Sequence, residues 1–217
     1  MKKIHLIDTI KDFLLSDNAG DMKGVYHEEI IKVHLNDAFN QSIYAAWLNG
    51  KKFSEYSQLD AWSKTYEADV VQAATTGYVL LPFAPVQLPD GMGIRQVMDH
   101  DDNTRVLAPM EATANVVFSE LDVNTMDDTP IYTLEQNNIS TGAGEESHLL
   151  RLTKLPMLPD TVIASVDIMM IVPLDLLDDY SDLAMPNGME NDLIQQVIML
   201  MSKKPMPDNN NDHVISR

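Results

Sequence analysis

Cysteine is absent from the 217 residues, which removes disulfides, thiolate zinc sites and cysteine nucleophiles together. That absence is consistent with a reducing compartment, or with a particle assembled inside one. Aromatic residues make up only 6% of the chain and tryptophan occurs twice, so there is little material for the stacking platforms that hold sugars. No apolar run is long enough to cross a bilayer, and the opening residues lack the charged and apolar regions of a secretory signal. The expectation is a chain neither secreted by that route nor membrane-spanning. Basic residues are scarce too: 15 against 33 acidic, a formal net charge of −18. Such a surface repels phosphate backbones instead of neutralising them, which argues against a direct grip on nucleic acid. The acidity then serves solubility, or lines a passage through which DNA slides without sticking.

Catalytic and ligand motifs are equally scarce. HEEIIKVH, His27 to His34, resembles a zinc-protease helix only in outline, because that motif needs its second histidine where Ile31 stands. Seven residues separate His27 from His34, so they lie two turns apart on one face and cannot share a metal without bending. DHDDN, Asp99 to Asn103, gathers oxygen ligands but lacks the spaced Asp, Gly and distal Glu of a calcium loop. A solvated hairpin tip is the better reading, and the same holds for the acidic run around Asp178 and Asp179. Gly91 and Gly93 are not followed by a third glycine and lead into a strand, which excludes a dinucleotide loop. No Walker sequence, nucleophile elbow or kinase signature occurs. We therefore expect no catalytic residue, no cofactor and no metal.

What is present is a succession of patterns. Ile4, Ile7, Ile10 and Leu14 recur at helical intervals, and Ser16 to Asp21 reads as the turn that ends the helix. A longer helix follows from Ile31 through Leu35 and Phe39 to Trp47, with Leu48-Asn49-Gly50 as its stop. A third, short helix fits Tyr56 to Thr65. After Tyr66 the chain turns β-branched and aromatic: two strands with a turn near Thr75 to Gly77, a second pair around a loop at Asp99 to Asn103, and further strands at Ile131–Leu134, His148–Lys154 and Thr161–Val172. The last is nearly all apolar and suits a central strand buried on both faces. Helical spacing returns with Leu193, Val197 and Leu200 beside Ile194, Ile198 and Met201, with Asn187 as N-cap and the acidic Glu190 and Asp192 at its positive end. Trp47 and Trp62 read as core residues. Fourteen methionines are present; Met169-Met170 suits the core, and those near the last helix suit an adaptable contact surface.

The order predicts an α+β fold with N-terminal helices, an antiparallel β-sandwich-like sheet, a C-terminal helix and a flexible tail. The expected organisation is a helical part over 1–65, a β-rich part over 66–184, a helix over 185–204 packing on the helical part, and a tail over 205–217 without a core-forming pattern.

One passage stands apart, LPFAPVQLPDGMGIRQV, Leu81 to Val97. Each proline fixes its own φ and pushes its predecessor to an extended conformation, so Leu81, Ala84 and Leu88 should be extended, and Asp90 to Gly93 should form a turn. The end of this passage, Leu88-Pro89-Asp90-Gly91-Met92-Gly93-Ile94-Arg95, resembles the "LP-x-G-x-GI" segment of the head-to-tail ring proteins, the adaptors or connectors, of crAss-like tailed phages. MPNGMENDLIQQVIMLM, Met185 to Met201, is similar to that family's "P-x-x-ME" helix start, followed by an apolar helix and an Asn/Asp-rich tail. The likeness runs in order over roughly Tyr66 to Asp212; Val123 to Ser147 has no counterpart in it.

This resemblance implies a virion structural protein. It would form a portal-associated ring between portal and tail, with a channel for DNA ejection, at the head-to-tail interface of a particle assembled in the host cytoplasm. Its partners would be neighbouring copies, twelve to a ring, the portal protein and other ring or tail proteins, with no membrane and no sequence-specific hold on DNA. The subunit contacts it implies are Pro85, Leu88, Pro89, Gly91, Gly93, Ile94 and Arg95 in the proline-rich passage, Met185, Pro186, Met189 and Glu190 at the helix start, and Asp208, Asn209, Asn210, Asn211 and Asp212 in the tail. The alternatives are another tail or capsid auxiliary protein, a host-surface-binding module, and an enzyme built on paired carboxylates, for which only exposed-looking acidic clusters are on offer.

Overall fold

The spacing of Leu6, Ile7, Ile10 and Leu14 places four buried side chains on one face of helix α1, Lys3–Asp17. In the computed structural model, residues 1–17, 28–53, 57–110, 129–140, 146–156 and 162–202 are described. They include α2 (Glu28–Phe53), the one-turn α3 (Ser57–Asp60), seven strands and α4 (Met189–Ser202). The chain divides into two compact units, Met1–Ser42 with Asp178–Arg217, and Ile43–Leu177; α2 begins in the first and ends in the second.

In the first unit, α4 packs on α1. Leu193, Ile194 and Val197 are its buried positions: two of the expected stripe Leu193, Val197 and Leu200, and one of the row beside it, while Leu200 is half-buried. The backbone of the first residues pairs with the segment before α4: the Ile4 N–H donates to the Asp179 carbonyl at 2.8 Å and the Leu183 N–H to the Met1 carbonyl at 2.9 Å. Ser16 and Asp17 belong to the last turn of α1, whereas Asn18 to Asp21 lie outside the described residues.

The second unit is a closed barrel of seven strands: β1 (Lys64–Ala73), β2 (Thr76–Leu80), β3 (Ile94–Asp99), β4 (Val106–Pro109), β5 (Ile131–Ser140), β6 (Glu146–Thr153) and β7 (Ser165–Met170). Their order around the barrel is β1-β2-β6-β5-β4-β3-β7, and β7 closes on β1. The α+β class is as expected, but the sandwich-like sheet is not: the strands close into one barrel. Closure follows from β1 pairing with β7 as well as β2, and from the short parallel pairing of β4 with β5, Ala108 opposite Ile131. Every other pairing is antiparallel. A closed sheet has no hydrogen-bonding edge left to satisfy. Inward positions alternate as period 2 requires, so Val79, Val97, Leu150, Leu152, Val166, Ile168 and Met170 fill the interior. β7 is flanked by β1 and β3, but the expected burial on both faces is not met: Val166, Ile168 and Met170 are buried inside, whereas Asp167 and Met169 on the outer face are only half-buried; Thr161, the first residue of the expected run, lies outside the described residues. Between β1 and β2 the turn is Ala74-Thr75, with Gly77 already in β2.

Two local departures have clear causes. Helix α2 runs through Gly50 to Phe53; Gly50 is buried, and Lys51 and Lys52 occupy the last turn, where cations suit the negative helix end. The third helix stops at Asp60, and Thr65 already belongs to β1. No helix among the described residues is long and apolar enough to cross a membrane.

Candidate functional site

The proline-rich passage forms a strap over one mouth of the barrel. Leu88 is extended, with φ −99° and ψ 151°, and a single 3-10 turn, Pro89–Gly91, follows it. The turn closes at Gly91, whose φ of +68° is a left-handed conformation that residues with a side chain resist. The strap is tied down at both ends by one residue beyond β7: the Val86 N–H donates to the Ile171 carbonyl at 2.8 Å, and the Ile171 N–H donates to the Gly93 carbonyl at 2.9 Å. Gly93 lies so close to Val86 that a Cβ there would collide with the Val86 carbonyl oxygen. The two glycines of the motif thus have different reasons, one of dihedral angle and one of space.

Under this strap lies an open pocket of about 220 Å³, lined from the strap side by the polar Gln87 as well as by Pro85, Val86, Leu88 and Ile94 and the glycines Gly91 and Gly93, and by Leu134 and His148 from β5 and β6. His148 has the same parity on β6 as the inward Leu150 and Leu152, which brings its ring to the mouth. Its Nδ1 is buried and has no hydrogen-bond partner among the described residues. A buried imidazole nitrogen normally finds a partner, because leaving one unmade costs desolvation.

The expected contact residues distribute unevenly. Pro85, Leu88, Gly93 and Ile94 are buried in this chain's own barrel, while Pro89 and Gly91 face solvent. Arg95 ion-pairs with Asp60 through its Nε at 2.9 Å and lays its guanidinium 3.2 Å from the Met92 sulfur. At the start of α4, Met185, Pro186, Met189 and Glu190 are half-buried. Asp208, Asn209, Asn210, Asn211 and Asp212 lie outside the described residues, as does His27.

His100, Asp101, Asp102 and Asn103 are exposed, as a solvated hairpin tip requires, but Asp99 and Asp179 are held by partners. Asp99 is the buried last residue of β3, not part of the hairpin tip; it receives Arg105 at 3.0 Å and the Asp101 N–H at 3.1 Å. Asp102 accepts both the hydroxyl and the N–H of Thr104, which hold its carboxyl below the usual range. Asp179 binds Lys32 at 2.9 Å and Lys3 at 3.4 Å, and the Lys32 ammonium depresses its pKa. Lys32 is correspondingly raised by Asp179 and by Glu28, while Glu28 is lowered by Lys11 and Lys32. These contacts fix the turn around Tyr180, an anchor that the acidic composition of the run did not suggest.

On the outer wall of the barrel, Glu67 of β1 faces Asp167 of β7 directly across the ladder. Like charges in such a pair repel, and His100 lies against both, its Nδ1 3.0 Å from Asp167 and its Nε2 3.8 Å from Glu67. The hydrogen bond to Asp167, then the charges of Glu67 and Asp167, raise the histidine pKa. Among the described residues no group of three or more His, Asp or Glu side chains is placed to hold a metal ion.

Large apolar side chains also stand outward. Val71 and Tyr78 are cross-strand partners on the outer face of the β1–β2 hairpin, 50% and 40% exposed, and Leu80 beside them is 47% exposed. Tyr180 is 74% exposed. Trp47 and Trp62 are core residues, as expected; Trp47 also stacks on Tyr44 with ring centroids 5.3 Å apart. Comparison with known proteins finds no family model that matches the chain and no match among curated proteins.

Proposed function

We propose that this chain is a head-to-tail adaptor subunit of a tailed phage related to the crAss-like group. Copies of it would close a ring of twelve between portal and tail, and the bore would pass DNA. The particular identification rests on the resemblance of the Leu88–Arg95 and Met185–Met201 segments to that family. One structural observation supports an assembly role in general: apolar side chains stand exposed on a strongly acidic chain, above all Val71, Tyr78 and Leu80 on one outer barrel face. Contiguous exposed apolar surface on a soluble chain marks contact with a partner.

The mechanism is geometric. Each subunit contacts the next with two different patches, and rotation closes the series. The strap holds Pro89 and Gly91 at a fixed place on the barrel rim, because hydrogen bonds to Ile171 and the Val86–Gly93 contact leave it no freedom. The net charge of −18 keeps the bore from holding DNA. Contact residues at Met185 to Glu190, and the tail residues Asp208 to Asp212, complete the stack on this reading.

Electron microscopy of the purified chain mixed with the portal protein of the same particle tests the proposal. A ring of added density coaxial with the portal is expected. Portal assemblies that remain bare at every mixing ratio would overturn it.

A further inference from the structure

We propose that the outward stripe of helix α2 is a docking surface for the same stripe of a second copy of this chain, the two helices packing antiparallel about a twofold axis level with Phe39. The contact goes beyond the ring reading above: it is self-complementary, so it closes at two copies and does not propagate.

Ile31, Leu35, Ala38 and Ile43 are buried on one side of α2. On the opposite side, where polar residues are the rule, Ile30, Val33, Tyr44 and Leu48 are between 45% and 59% exposed. Asp37 and Gln41, also exposed, stand between them. At 3.6 residues per turn all six fall within an arc of about 80°. Two apolar pairs thus flank a polar middle along one unbroken helix of 26 residues, about 39 Å long. Tyr44 is already held against Trp47, with ring centroids 5.3 Å apart, so little side-chain freedom is lost on docking.

The order of residues along the stripe selects the partner. Reversed about position 39, the stripe matches itself: Ile30 meets Leu48, Val33 meets Tyr44, and Asp37 meets Gln41, a carboxylate against an amide that donates to it. A polar position within an apolar seam fixes register. A parallel pairing would instead set Asp37 against Asp37. Charge complementarity points the same way. Helix α2 opens with Glu28 and Glu29 and ends with Lys51 and Lys52, so the antiparallel alignment brings the acidic start of one copy beside the basic end of the other and opposes the two helix dipoles. Glu28 is taken up by Lys11 and Lys32, but Glu29 stands 84% exposed with Lys32 no nearer than 4.0 Å. Lys51 is exposed on the same flank of the helix as Glu29, with its ammonium 5.1 Å from the centre of the Trp47 ring.

The test uses the full chain, whose lack of cysteine makes single-cysteine variants unambiguous. Under mild oxidation, Ile30→Cys mixed with Leu48→Cys is expected to give a mixed disulfide dimer. Ile30→Cys alone should give none, because the two copies of position 30 lie about 27 Å apart along the antiparallel pair. In sedimentation at about 0.15 M salt, where repulsion between the acidic copies is screened beyond roughly 8 Å, the parent should show a monomer–dimer equilibrium. Val33→Glu should weaken it at least about tenfold with unchanged circular dichroism. Glu29→Lys should weaken it about threefold, and Lys51→Glu in the same chain should restore it. A parent that stays monomeric at about 1 mM, disulfide dimers from Ile30→Cys alone, or a Val33→Glu chain that dimerises like the parent would overturn the proposal. The ring reading stands apart from each of these results, since it is decided by copy number in the particle.

Discussion

Gly93 and Val86 touch backbone to backbone: the space where a Gly93 side chain would stand is filled by the Val86 carbonyl oxygen. Because Ile171 bonds to both residues, neither can retreat without releasing the strap from the barrel mouth. Gly93→Ala should therefore cost about 2–3 kcal/mol, the upper part of the roughly 1–3 kcal/mol range for forcing extra atoms into a filled site. Gly91→Ala, at a positive φ in open space, should cost about 1–2 kcal/mol through the dihedral angle alone. Urea unfolding of the two variants checks both magnitude and order; equal stability of Gly93→Ala and the parent would contradict the strap geometry.

The barrel interior makes a more conventional prediction. Leu150 is fully buried between β2 and β5, opposite Val79 and Leu134. Leu150→Ala should lose about 2–5 kcal/mol, whereas Val71→Ala on the outer face should change monomer stability by under about 0.5 kcal/mol. The second variant should instead show its effect in assembly.

Stability should depend on pH through His100. Its folded pKa is raised above the ordinary 6.5 by Asp167 and Glu67, so the charged ring's contribution is fully present below pH 6.5 and fades as pH rises through the folded value. Above that point the facing Glu67 and Asp167 carboxylates lose their intervening cation. Asp179 acts in the opposite sense: its lowered pKa contributes stability above 3.8 that is lost as pH falls through the folded value. Titration of the His100 ring protons by NMR should report the raised pKa, and His100→Gln should flatten the loss of stability on the alkaline side of 6.5. A ring titrating at or below 6.5 would refute the placement of His100 between the two carboxylates.

Truncation tests the tail. A chain lacking Met206 to Arg217 should keep the parent's unfolding midpoint, because that segment has no apolar pattern from which to build a core. Its attachment to portal or tail should weaken. Attachment equal to that of the parent would remove the tail from the contact set.

Much of this was legible in the sequence because apolar spacing reports burial directly. Ile7 to Leu14, Ile31 to Trp47 and Leu193 to Val197 mark buried faces of α1, α2 and α4, and the nearly all-apolar run ending at Val172 marks β7. Barrel closure was not legible. Alternation looks the same in a sandwich and a barrel, and the deciding pairs, Lys64 with Met170 and Ala108 with Ile131, are remote in sequence. Gly50 misled as a stop signal, since a buried glycine inside a helix and one beyond its end read alike. Asp179 looked solvated because its partners Lys3 and Lys32 lie far away along the chain. The pocket under the strap escaped for a similar reason: Gly93 is distinctive in sequence, but nothing there connects it to His148.

The adaptor reading is tested most directly by counting. Quantitative mass spectrometry on density-gradient-purified virions should find this chain and the portal protein in a ratio near one, as a portal-matched ring demands. Absence of the chain from the particle would contradict the account.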